Sequence, residues 1–352
     1  MLTQTILGRV YDYSHAVGGL YLPQIVGVAF GECDSVYTIS RPTDTISGVP
    51  WNKTGVGAKI VKITIGDVPG DEEHILDIGR YGDADGEFIW PAGIALDSNE
   101  NIYVTDEWMN RVSVFDSEGN FLKHWGEGGQ NDGQFNHPAG IDIDTEDNAI
   151  VVDSLNHRVQ KFTKDGKFIL KWGGFGDNDG EFNMPWGLTV DELGDVYVAD
   201  WRNDRIQKFG PDGEFICSLG KSGNSDGEFC RPTGVAVDAH GDIYVADAGN
   251  DRVQLFAEDG RYVEKFIGDA SLSKMARDYM LTNAGPLRQR EMSKLEPQKR
   301  FRTPRSVKLD DQFRMFVTDM RSMRVQVYQK DAEPLTPDLI LSPPKSPSLV
   351  TN

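Results

Sequence analysis

Read for its alternation of apolar and polar positions, the chain repeats itself. Short segments of Val, Ile, Tyr and Phe at period two are bounded by Gly, Asp and Asn, the pattern of half-buried strands joined by tight turns. The phrases "IWPAGIALD" (89–97), "NHPAGIDID" (136–144), "NMPWGLTVD" (183–191) and "CRPTGVAVD" (230–238) share one frame, and Pro91, Pro138, Pro185 and Pro232 follow one another at intervals of 47 residues. Each unit opens on D-G-(E/Q)-F-x-x-P-x-G. An apolar alternation, an "IYVTD"-like stretch, R-(V/I)-x-x-F and a last apolar stretch to Gly complete it; residues 179–220 show it whole. Units of this length with four strands are propeller blades, which bury their faces by stacking on copies of themselves.

Weaker copies flank the regular ones. The interval from Pro304 to Asp319 matches that from Pro91 to Asp106, and "VGVAFGECDSVYTIS" (26–40) with "KIVKI" (59–63) supplies three strands upstream. The pattern therefore predicts an all-β, six-bladed propeller of four-stranded blades. The last blade shows three clear strands, ending at Tyr328, and "TILGRVYDY" (5–13) is expected to be a lone strand that completes it and removes an open edge. Residues 1–333 read as a single propeller with a short helical insertion at about 270–303, and residues 334–352 as a Pro/Ser-rich tail.

The recurring motifs resemble NHL repeats, over about residues 20–330. That resemblance implies a six-bladed ring with a closing strand, but family members differ in function, so the fold does not choose among them. The chain is also distantly similar to the peptidyl-α-hydroxyglycine amidating lyases, a resemblance that implies a catalytic zinc held by channel histidines. Here the residues after the prolines are Ala92, Ala139, Trp186, Thr233 and Arg305. His137 faces the expected channel; His74 and His124 fall on outer strands, His157 and His240 in loops, His15 near the closing strand. A three-histidine site is not assembled, so no cofactor is predicted, while the channel itself leaves room for a metal.

Scaffold and site separate by what recurs. Asp106, Asp153, Asp200, Asp247 and Asp319 each precede an arginine (Arg111, Arg158, Arg205, Arg252, Arg324) by five residues. A constellation met in five blades is read as a structural pair across the loop between strands two and three. The residues that change lie beside the prolines and in those loops, two sets expected on one face around the channel mouth. From them Trp90, Trp108, Met184, Trp186, Trp201, Arg202 and Arg321 are predicted to bind ligand, with His137, Arg231 and Arg305 as candidates for catalysis. Two long connections, 41–58 and 271–301, are expected over the same face as lids. Eight basic and three acidic residues between 270 and 303 give that stretch a charge of +5.

Composition adjusts the picture. The whole chain carries −19, which disfavours nucleic acid and anionic membrane, because both require clustered cations facing phosphate. The basic, tryptophan-rich mouth instead points to a small anionic molecule or peptide, or a protein partner. A propeller lyase or hydrolase built on His137 is the alternative. Cys33, Cys217 and Cys230 are too scattered for a disulfide framework and are expected to be buried small hydrophobes. The N-terminal stretch carries no export pattern and the chain has no apolar run long enough to span a bilayer, so a cytoplasmic location is expected. Oligomeric state is not legible.

Overall fold

Six antiparallel sheets are arranged as the blades of a propeller. The computed structural model describes residues 3–6, 9–18, 22–41, 57–66, 71–273 and 294–331, with scattered positions between 278 and 292. Blades one to five each have four strands in simple up-and-down order. In blade two, for example, these are Pro91–Leu96, Ile102–Asp106, Arg111–Phe115 and Phe121–Trp125. Among the described residues no helix is long and apolar enough to cross a membrane.

Blade six corrects the expected lone strand. The N-terminal segment forms two strands, Thr3–Ile6 and Arg9–Gly18, and the second pairs antiparallel with Arg324–Asp331, so this blade is five-stranded. Tyr11 of that strand reaches the neighbouring blade, its hydroxyl 2.7 Å from that of Tyr244. Lys330, fully enclosed, bonds Asp238 and Asp242 of blade five. These links join residues from both ends of the chain across one seam.

The D-G-(E/Q)-F connections build the core between blades. Phe88, Phe135, Phe182 and Phe229 are completely buried, each with its ring 5.4–5.6 Å from a phenylalanine of its own unit. Trp125 and Trp172 close two of these clusters from the preceding blade. Burying one such ring stabilises the fold by about 1.5–3 kcal/mol. The glycine ending each outer strand allows this: Gly126 has φ +94°, and a Cβ there would stand 2.6 Å from the Phe135 ring.

The Asp–Arg pairs close in four of the five blades. Arg158, Arg205, Arg252 and Arg324 place Nε 2.7–2.9 Å from Asp153, Asp200, Asp247 and Asp319. The same carboxylates accept from Gln160, Gln207, Gln254 and Gln326, and in blades three to five from Asn156, Asn203 and Asn250 as well. Blade two departs. Met109 and Ser113 replace the amides, Asp106 accepts four backbone N–H groups, and Arg111 bonds the carbonyls of Ala84 and Glu87 instead. In blade one Lys59 pairs with Asp77 of the outer strand.

At the end of the helical insertion a turn runs Glu296–Lys299 with Pro297 in it, where the missing N–H costs nothing, and the cysteines depart from their expected burial. The other insertion positions from 274 to 293, and residues 42–56, lie mostly or wholly outside the described residues. Cys33 and Cys217 are exposed and Cys230 is half-buried. Cys33 sits in a turn, and Cys217 lies on the outer strand Phe215–Leu219, whose middle residues face solvent.

Candidate functional site

The two variable sets lie against each other within blades two to six. Each loop between strands two and three donates to the segment before the proline of its blade: Glu107 to Trp90, Ser154 to His137, Arg202 to Asn183, Gly249 to Cys230 and Arg321 to Arg302, over 2.8–3.3 Å. His137, Met184, Arg231 and Thr303 have φ of +51 to +60° immediately before proline, a region that L residues rarely adopt. A side chain of the preceding blade catches each of their N–H groups: Asn110, His157, Asp204 and Asp251, at 2.7–3.0 Å. Because the device recurs around the ring it is scaffold. Its effect is to hold four varying side chains at defined places around the mouth.

Arginines and tryptophans interleave there. The Trp186 and Trp201 rings lie 6.1 Å apart. Arg305 lies over Trp186 at 5.2 Å and Arg231 over Trp201 at 4.8 Å, with Arg202 5.7 Å from the same ring. Arg41 stands 5.2 Å from Trp90 and 5.5 Å from Trp186, donates to the Pro91 carbonyl and pairs with Glu107 at 2.5 Å. Guanidinium groups so placed gain from the indole quadrupole, by about 0.5–2 kcal/mol each. Arg41 and Glu107 were not among the expected binding residues, although they stand at the first position after strand two, where the other blades carry Ser154, Trp201, Ala248 and Met320.

Arg41 is neutralised; its neighbours are not. Among the described residues no carboxylate lies within ion-pair distance of Arg202, Arg231, Arg305 or Arg321, and Arg305 Nε and Arg231 Nη1 are enclosed with no hydrogen-bond partner. Burial lowers the pKa of Arg305 to about 10, and Arg41 and Arg321 add to the effect while Glu107 opposes it. Arg305 remains charged at neutral pH. It is a cation stripped of most of its water and given no anion.

His137, Trp90 and Trp108 line a cavity of about 210 Å³ together with Glu107. The His137 Nδ1 lies 3.1 Å from Asn136 Oδ1. Trp108 is exposed, as is Arg321, and Met184 lies beside Trp186 in the chain with its backbone tied to His157. Among the described residues no group of three His, Cys, Asp or Glu side chains is placed to hold a metal ion.

Comparison with known proteins fits the blade pattern. The NHL repeat model matches residues 88–115, 135–162, 182–209 and 229–256. Four of the six blades thus carry NHL repeats. Over 48 residues it is 44% identical to protein lin-41 of Caenorhabditis elegans, a match spanning 14% of this chain and 4% of that protein. Among solved structures it resembles a streptogramin B lyase (TM-score 0.54, 12% identity, 93% of this chain and 100% of that one). It also resembles virginiamycin B lyase from Staphylococcus aureus (TM-score 0.53, 13% identity, 91% of this chain and 99% of that one). At such identities the likeness is one of fold. NHL propellers commonly bind proteins.

Proposed function

We propose that this NHL propeller is a binding module whose channel mouth takes an anionic ligand, a small molecule or an acidic peptide segment of a partner protein. The observation that carries the reading is the pair Arg231 and Arg305, each stacked on an indole and each lacking a carboxylate among the described residues. An incoming carboxylate would supply charge-assisted hydrogen bonds that the fold leaves unmade. The tryptophans offer flat apolar area for whatever carries the anion. The sequence between 270 and 303 carries a charge of the same sign.

The lyase or hydrolase reading rests on His137 and Glu107 lining one cavity. Binding is favoured over it because the Glu107 carboxylate is already engaged by Arg41. Titration of tryptophan fluorescence with acidic, neutral and basic peptides tests the proposal. Acidic peptides are expected to bind, with affinity falling as salt rises and falling again in Arg231→Gln. Equal affinity for the three classes, or an unchanged Arg231→Gln, would sink it.

A further inference from the structure

Below the mouth the propeller axis narrows to a neck of about 50 Å³. Its wall is largely bare backbone. Gly27, Gly93, Gly140, Gly187 and Gly234 face it from five blades, and a Cβ at Gly93 or Gly140 would stand 2.6 or 2.7 Å from the carbonyl oxygen of Ala139 or Trp186. The sixth blade breaks the pattern. Where the others place Val26, Ala92, Ala139, Trp186 or Thr233, then glycine, then after one apolar residue Ala29, Ala95, Asp142, Thr189 or Ala236, it places Arg305, Ser306 and, after Val307, Lys308. Arg305 and Lys308 are the charged residues lining the neck among the described residues, and both are cations.

The two cations are not equivalent. Lys308 crosses the axis to Asp142 at 2.7 Å, with Thr189 Oγ1 at 3.3 Å, so its charge is neutralised at the floor. Arg305 at the top has no such partner among the described residues, and its Nε is enclosed. The neck therefore presents one uncompensated positive charge. A water-sized atom needs about 10–15 Å³ of such space, so the volume suits about three to five heavy atoms, enough for a carboxylate.

We infer that the neck is a receptor for the C-terminal carboxylate of a peptide, which enters end-on from the mouth and meets Arg305 while the preceding residues lie along Trp186 and Trp201. This rests on the reading that the mouth binds anions. Arg305 stands at the mouth end while Lys308 is already paired with Asp142 at the other, the narrow glycine wall admits a chain end and not a side-on anion, and the indoles beside Arg305 cover the part of the chain that stays outside. Internal Asp or Glu side chains would be held at Arg202 and Arg231 instead.

The test uses a hexapeptide pool lacking Asp and Glu, as free acids and as C-terminal amides, titrated against the full chain by tryptophan fluorescence, which reports through Trp186. The free acids are expected to bind, the amides at least about 10-fold more weakly, the range set by one charge-assisted hydrogen bond. Arg305→Gln should remove the difference between them. Acetate, but not acetamide, should displace the free acids from the wild-type protein, an arm that decides the matter even if the variant folds poorly. Equal affinity of acids and amides, or displacement by acetamide as well as acetate, would overturn the end-on site. If amidated peptides carrying Asp or Glu then bind and lose affinity in Arg231→Gln, the mouth reading stands without the neck. If they too fail to bind, both fall.

Discussion

Two sets of arginines in this molecule are alike in burial and opposite in circumstance. Arg158, Arg205, Arg252 and Arg324 each meet an aspartate whose side chain is wholly enclosed, with a glutamine joining the pair. Arg231 and Arg305 meet indole rings and, among the described residues, no carboxylate. The first set spends its charge inside the blade. The second keeps it facing the channel mouth, because an indole stabilises a cation by a small fraction of what water or a carboxylate supplies. An arginine inside a repeat is thus structural when its carboxylate recurs with it, and a candidate for binding when it stands alone.

Substitutions can break this contrast. The largest effect is expected from Asp200→Ala, which strands Arg205, Gln207 and the Asn183 N–H; denaturant unfolding should show a loss of about 3–5 kcal/mol. Arg305→Ala and Arg231→Ala should behave in the opposite way. Binding of acidic peptides should fall 10-fold or more, while unfolding free energy changes by less than about 1 kcal/mol. A stability loss comparable to that of Asp200→Ala would show that the mouth arginines are scaffold after all. Blade two sharpens the contrast from within, since Arg111 has carbonyl partners in place of the aspartate. Arg111→Ala should cost less than Arg205→Ala in the same unfolding assay, by about 1–2 kcal/mol.

A smaller effect separates the seams. His157 Nδ1 accepts the Met184 N–H, where the other seams use the oxygens of Asn110, Asp204 and Asp251. Burial lowers the His157 pKa below its ordinary 6.5, with Arg202 acting the same way and Asp200 and Asp153 opposing. The neutral ring therefore belongs to the folded seam. Its contribution is complete above about pH 6.5 and is lost as pH falls through the lowered folded value, because the protonated Nδ1 cannot accept. Unfolding measured from neutral to acid pH should show a loss of about 1 kcal/mol in the wild type that His157→Asn does not share. His15, also lowered by burial, titrates in both proteins and cancels in the comparison. The smallest change is expected at Thr303, a β-branched residue at φ +60°, where Thr303→Gly should alter stability by less than about 1 kcal/mol, in the stabilising direction.

Much of the scaffold was legible in the chain. The interval from Pro91 to Pro138 and its repetitions marked the blades, and the alternation marked strands such as Ile102–Asp106 to within a residue. The recurring Asp–Arg spacing identified the clasp, though Gln160, Gln207 and Gln254, which recur at the same period, were not among its expected members. Of the candidate site, the interleaved Trp186, Trp201, Arg231 and Arg305 were visible as variable positions. The Arg41–Glu107 pair was not, because its partners belong to different blades and neither repeats.

What the sequence determined by itself is whatever one repeat can state: the number of blades, the strand order and the identity of residues that do the same task in each blade. A hydrophobic period expresses local geometry, and local geometry repeats. The ring decided the rest. It brought Asp142 to Lys308 across 166 residues and Tyr11 to Tyr244 across 233, and it left Arg305 beside an indole without a carboxylate among the described residues. Such contacts join unlike positions of different repeats, so the period carries no record of them; they exist because closing the ring sets distances between residues that the chain keeps far apart.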